Sequence, residues 1–187
     1  MILEAVLTTI DERGRLNVAP MGPHVTPDLG RFTLKPFVGS RTYDNLRAQG
    51  RATIHVTDDV LLMAQAVTGT LDPLPATFEL LGGDWRVLTA ACRYFAVSVN
   101  RWEEDPLRPT AHCEIVASGE LRPFFGFNRA KHAVIEAAIL ATRTSLLEAD
   151  AISAELQRLQ PLVEKTAGPD EQQAFELLKR YIAARCS

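Results

Sequence analysis

The hydroxyls of Ser40 and Thr42, the guanidinium of Arg41 between them and the amide of Asn45 fall in one short stretch, Gly39-Ser40-Arg41-Thr42-Tyr43-Asp44-Asn45. Groups of this kind bind anions. The polar turn runs directly into a helical segment, Tyr43 to Gln49, and first-turn N–H groups have no partner inside a helix. They lie at the positive end of its dipole, so a phosphate would satisfy them. The alternative is that Ser40 or Thr42 only caps the helix while Arg41 stays in solvent, the usual role of such residues.

Other polar residues flank this turn in the chain. Lys35 closes a strand before Pro36 and either points its charge at the same anion or is an ordinary exposed strand-end lysine. Upstream, Pro20-Met21-Gly22-Pro23-His24 is expected to interrupt regular pairing and leave a backbone that a flat ligand can approach, with Asn17 and His24 beside it; a simple inter-strand turn is the alternative. His55, inside a β-branched run, either hydrogen-bonds within a sheet or borders a pocket. His112 and Glu114 share one face of a strand. No nucleophile or third ligand accompanies them, so a structural or interface pair is the expected role. Asp58-Asp59 precede an apolar helical run and suit an N-cap better than a metal site. The segment Asn128-Arg129-Ala130-Lys131-His132 places positive charge at a helix start, against the dipole, where an anion or acidic partner would relieve it.

These residues need particular elements to hold them. Residues 2–10 and 16–19 form a hairpin signal across Asp11-Glu12-Arg13-Gly14, and strands are expected at Phe32–Lys35 and Ala52–Thr57. A short helix is expected over Val60–Val67. Residues 68–90, with Gly69, Pro73, Pro75, Gly82 and Gly83, predict an irregular connection or lid with one helical turn near Phe78–Leu81. Two long antiparallel strands, Ala91–Trp102 and Ala111–Arg122, follow. From Asn128 the period becomes helical, with segments Arg129–Thr144, Ser145–Gln160 and Glu171–Ala184. The expected division is a mainly β domain over 1–125 and a helical subdomain over 126–187.

Composition narrows the function further. The 187 residues are 47% hydrophobic and 23% charged, with a net charge of -3 and a pI near 5.8. Such a balance supplies no basic footprint for nucleic acid. No apolar run is long enough for a bilayer, and the start MILEAVLTTIDERG lacks the pattern of a signal peptide, so a cytoplasmic protein is expected. Cys92, Cys113 and Cys186 lack zinc or disulfide spacing, and thiols are expected.

Taken together, NVAPMGP (17–23), KPFVGSRTYDNL (35–46) and GFNRAKHAVIEAAILATR (126–143) make the chain resemble the DUF447 family, which sits with the flavin reductase-like and pyridoxamine phosphate oxidase split barrels. The S-x-T-x-x-N pattern of Ser40, Thr42 and Asn45 is shared more loosely with flavin reductases. The resemblance implies an α+β, mainly β fold: a six-stranded or similar FMN-binding split antiparallel β-barrel followed by a small C-terminal helical bundle. It further implies a homodimer with FMN at the subunit boundary. The FMN phosphate would lie against Ser40, Arg41 and Thr42, with Asn45 holding the turn and Lys35 nearby. Asn17, Ala19, Pro20, Met21 and Gly22 would line the isoalloxazine edge, and His55 and Val56 would lie on the strand behind it. Asn128, Arg129 and Lys131 would approach the cofactor, from the other subunit in one arrangement. The implied activity is flavin-dependent oxidoreduction of a small molecule, with a nicotinamide nucleotide or a pterin as candidate partner. A flavin-storing protein and a binding module for another phosphorylated ligand remain alternatives.

Overall fold

The computed structural model describes residues 1–186. Two compact units are present: Met1–Thr57 with Leu74–Phe124, and Asp58–Pro73 with the chain from Phe125 onward.

In the first unit, apolar alternation in short β-branched runs generates nine strands: β1 (Ala5–Ile10), β2 (Leu16–Met21), β3 (His24–Val25), β4 (Phe32–Leu34), β5 (Arg51–Val56), β6 (Thr77–Leu80), β7 (Trp85–Leu88), β8 (Arg93–Glu103) and β9 (Thr110–Glu120). Seven of them form one antiparallel sheet in the order β2-β1-β5-β8-β9-β4-β3, and β6 and β7 form a separate hairpin. Register shifts between Ala96 and Val97 and between Val99 and Arg101 interrupt the β8–β9 ladder. Such irregularities increase local twist and help a sheet curl into a half-barrel.

A core of Ala5, Leu7, Phe32, Leu34, Ile54, Phe95 and Val97 fills the curl. Helix α1 (Arg41–Gln49) closes over it by inserting Leu46, which is fully buried. Gly50, at φ 63°, ends the helix in the left-handed conformation that glycine adopts without strain.

Two expectations fail in this unit. Pairing continues through Pro20 and Met21, which face Val6 and Ala5, because β2 is an edge strand and an edge position does not need proline's missing N–H. Residues 77–88 form a regular hairpin rather than an irregular lid with a helical turn, since Trp85, Val87 and Leu88 are buried and burial favours extended pairing there. Leu81–Gly83 make only a single 3-10 turn between its strands.

The second unit contains α2 (Val60–Thr68), α3 (Arg129–Ala141), α4 (Ala149–Thr166) and α5 (Pro169–Ala183). Small residues on α3, including Ala133, Ala137 and Ala138, pack with Val60 and Ala64 of α2 and with Phe175, Leu178 and Ile182 of α5. Their shared apolar stripe explains why α2 joins helices distant in sequence. Helix α4 runs past Gln160 through Pro161 to Thr166; buried Leu159 and Val163 on either side of the proline hold it in place. No helix among the described residues is long and apolar enough to cross a membrane.

Candidate functional site

The start of α1 is built by its own sequence. Ser40, extended at φ -79° and ψ 150°, is the N-cap and accepts the Tyr43 N–H at 3.2 Å. Its hydroxyl donates to the Phe37 carbonyl at 2.7 Å. Both functions of Ser40 are therefore used in shaping the turn. Arg41 is exposed and forms no hydrogen bond or ion pair among the described residues.

Thr42 is 4% exposed and accepts from Asn17 Nδ2 at 3.1 Å. The same Nδ2 donates to Thr9 Oγ1 at 3.2 Å, and Asn45 Nδ2 donates to Thr9 Oγ1 at 2.9 Å. Thr9 and Asn17 stand opposite one another on β1 and β2, so the sheet register presents both to the helix. Sequence analysis brought Asn17, Thr42 and Asn45 forward and missed Thr9. Its only signal is its place in the hairpin opposite Asn17, an unremarkable position in a β-branched run.

The loop before α1 is braced by the β8–β9 connection. Arg108 donates to the Lys35 carbonyl through Nε at 3.2 Å and Nη2 at 2.9 Å, and its guanidinium lies 4.4 Å from the Phe37 ring centre. Val38 N–H donates to the Leu107 carbonyl at 3.1 Å. Backbone N–H groups of Arg108 and Leu107 hold the Asp105 carboxyl below its ordinary range. Farther along the helix, Arg47 makes a two-pronged ion pair with Glu104 at 2.7 and 2.5 Å and stacks 4.1 Å from the Trp102 ring centre. The turn is thus held from both sides. Its nearby charges are Arg41, half-buried Lys35 and the acidic Asp44 in the first helical turn.

The remaining candidates fall in several places. Ala19, Pro20, Met21 and Gly22 are half-buried on or just beyond β2, whose outer edge has no sheet partner among the described residues. Val56 ends β5, and its carbonyl accepts the Cys92 N–H at 2.9 Å. His55 pairs with Val6, whereas Ile54 pairs with Leu7; alternation along β5 therefore puts His55 on the face opposite to Thr9 and Asn17. Its Nε2 accepts the Leu88 N–H at 3.0 Å, leaving Nδ1 as the protonated nitrogen that donates to the Val6 carbonyl at 3.0 Å. Burial pushes its pKa down to about 4 despite the opposing Val6 contact, so the ring is neutral at pH 7. The choice between sheet and pocket falls to the sheet: His55 is a crosslink of β1, β5 and β7.

His112 pairs with Glu103 and not with Glu114: Nε2 lies 3.0 Å from Glu103 Oε1 and 3.0 Å from Arg101 Nη2. The β8–β9 register puts Arg101 opposite His112, whereas Glu114 lies opposite Ser98. In the helical unit, Asn128 caps α3 by accepting the N–H groups of Ala130 and Lys131 at 2.8 and 3.1 Å. Lys131 Nζ pairs with Glu171 at 2.8 Å and donates to the Asp58 carbonyl at 2.6 Å. Burial raises the Glu171 pKa, but Lys131 and the Gly168 N–H outweigh it and hold the carboxyl below its ordinary range. The acid expected to relieve this cationic helix start comes from the chain itself. Arg129 is exposed.

Residues 3–122 match the model of the N-terminal domain of the family "Protein of unknown function (DUF447)", and residues 128–180 match that of "Protein of unknown function (DUF447)". Among solved structures, the chain is similar to the FMN-bound protein MM1853 from Methanosarcina mazei, assigned to the same family, with 22% identity, a TM-score of 0.82 and coverage of 96% of this chain and 94% of that one. It is also similar to flavoredoxin from Methanosarcina acetivorans, at 12% identity and a TM-score of 0.54 over 65% of this chain and 74% of that one. The flavin reductase of styrene monooxygenase from Pseudomonas putida S12 matches at 15% identity and a TM-score of 0.51, over 66% and 83% of the two chains. At these identities the likeness shows the fold, an α+β protein built on the split barrel of flavin-binding proteins.

Proposed function

The chain belongs to the DUF447 family, and from that membership we propose that it binds FMN with the phosphate at the start of α1 and works as a flavin-dependent oxidoreductase on a small molecule. The observation that carries this reading is the donor set at that helix start, in a fold whose FMN-bound relative spans nearly the whole chain. Arg41 supplies an unpaired guanidinium, the first-turn N–H groups of Arg41 and Thr42 lack intrahelical partners, and Thr42 contributes a buried hydroxyl. Donors without competing acceptors fit a phosphomonoester. Ser40 shapes the turn rather than contacting the phosphate, and Lys35 adds charge from the braced loop. Asn17 and the unpaired backbone edge at Ala19, Pro20, Met21 and Gly22 suit the rim of a flat ring, with Val56 behind it. Asn45 fixes the helix, and exposed Arg129 is the member of its cluster left to reach a ligand. His55, Asn128 and Lys131 act through packing.

When bound, FMN supplies the redox chemistry, and the protein's part is to hold it, orient it and limit water. The proposed assembly is a cytoplasmic homodimer with the cofactor at the subunit boundary, taking electrons from a nicotinamide nucleotide and acting on a substrate of the pterin class. Purified protein is expected to be yellow, to release FMN on denaturation by mass spectrometry, and to be reduced by NADH or NADPH. A colourless preparation that binds no FMN in titration overturns the reading.

A flavin-binding protein without turnover is the second reading. It is favoured by the engagement of both internal histidines, His55 in the sheet and His112 with Glu103 and Arg101. Bound FMN with no acceleration of nicotinamide oxidation by any acceptor would select it. Release of a different phosphorylated compound would select a binding module for that ligand.

A further inference from the structure

The two hydroxyls at the start of α1 differ in where their protons go. Ser40 donates to the Phe37 carbonyl at 2.7 Å. Thr42 accepts from Asn17 and donates to no group among the described residues, although it is only 4% exposed. A hydroxyl has one proton, and a buried one without an acceptor is unfavourable until a ligand supplies it. The orientation of the Asn17 amide decides whether that proton stays available.

Thr9 sets that orientation. It is 3% exposed, and its Oγ1 receives N–H groups from Asn17 at 3.2 Å and from Asn45 at 2.9 Å. One Nδ2 proton of Asn17 points at Thr9 and the other at Thr42, so the amide oxygen is turned away from Thr42. Without the Thr9 hydroxyl, the amide can rotate by half a turn and present that oxygen. It would then take the Thr42 proton.

We infer that Thr9 is a positioning residue for phosphate: through Asn17 and Asn45 it keeps the Thr42 hydroxyl as a donor, and so makes the site select a phosphorylated flavin over riboflavin. Thr9 itself touches no ligand. The inference rests on the phosphate placement proposed above.

Fluorescence titrations of the apoprotein with FMN and with riboflavin test it. Thr42→Val is expected to lower the FMN-to-riboflavin affinity ratio roughly tenfold, the scale of one hydrogen bond to a charged group. Thr9→Val is expected to lower it to a similar extent, with no further loss when the two are combined, because the first acts only through the second. Thr9→Ser, which keeps the oxygen, restores the ratio. Equal weakening of both flavins by Thr9→Val would mean a purely structural role and overturn the inference. So would an unchanged ratio in Thr42→Val, which would mean that the proton already rests on a turned Asn17 amide. A native protein that binds the two flavins equally would instead remove the phosphate placement itself, and this inference with it. Should Thr9→Val fail to fold, a crystal structure of the native protein with FMN decides: Thr42 Oγ1 beyond hydrogen-bond distance of every phosphate oxygen overturns the assignment.

Discussion

Asn45 Nδ2 donates to Thr9 Oγ1 at 2.9 Å, joining the first helix to the strand beneath it across a sequence separation of 36 residues. Both side chains are buried. Asn45→Ala removes the bond and leaves Thr9 with only Asn17, which should cost about 1–3 kcal/mol of stability. Urea unfolding followed by circular dichroism measures this, and an unchanged midpoint would show the tie to be energetically idle.

Arg41 and Thr42 should act together on the cofactor. The double substitution Arg41→Ala/Thr42→Ala is expected to weaken FMN binding by at least about tenfold, since charge-assisted phosphate contacts are the stronger class. The fold should persist, as Arg41 is exposed and Leu46 still anchors the helix. Quenching of flavin fluorescence reads the affinity, and an unaltered titration would place the phosphate elsewhere.

Ser40 should behave differently from its neighbour. As the N-cap it satisfies the Tyr43 N–H, so Ser40→Ala should lower stability by about 1 kcal/mol. FMN affinity should fall much less than in the Arg41/Thr42 pair. A larger loss of affinity than of stability would show that the Ser40 hydroxyl reaches the ligand.

His55 makes stability depend on pH. Its folded pKa is depressed to about 4 by burial, from an ordinary value of 6.5, so between these values the unfolded chain binds the proton that the folded chain refuses. Stability from this residue is complete above pH 6.5 and is lost as pH falls toward 4. The loss between pH 7.5 and pH 5 should be about 2 kcal/mol. Denaturant midpoints across that range should drop in the native protein and drop less in His55→Gln; equal slopes would refute the assignment.

Lys131 is expected to stabilise the helical unit without binding flavin. Lys131→Met leaves Glu171 with the Gly168 N–H but without its cation, a loss of about 1–3 kcal/mol at this partly buried site. Thermal melting measures the effect. Unchanged stability together with weakened FMN binding would give Lys131 the cofactor role instead.

The sequence alone determined the local chemistry: the polar turn ending at Ser40, the helix behind it, the Asn128 cap, the β1–β2 hairpin and the helical C-terminal part. Each depends on residues close together in the chain, where capping, hairpin turns and period act directly. Tertiary structure alone decided which partners distant residues meet. Thr9 became the centre of the Asn17–Thr42–Asn45 group only through strand register, and His55 turned from that group because pleating sends successive side chains to opposite faces. The pairing of Lys131 with Glu171 likewise required α3 and α5 to pack together. Register and packing are set by the apolar core as a whole, and no short stretch carries that information by itself.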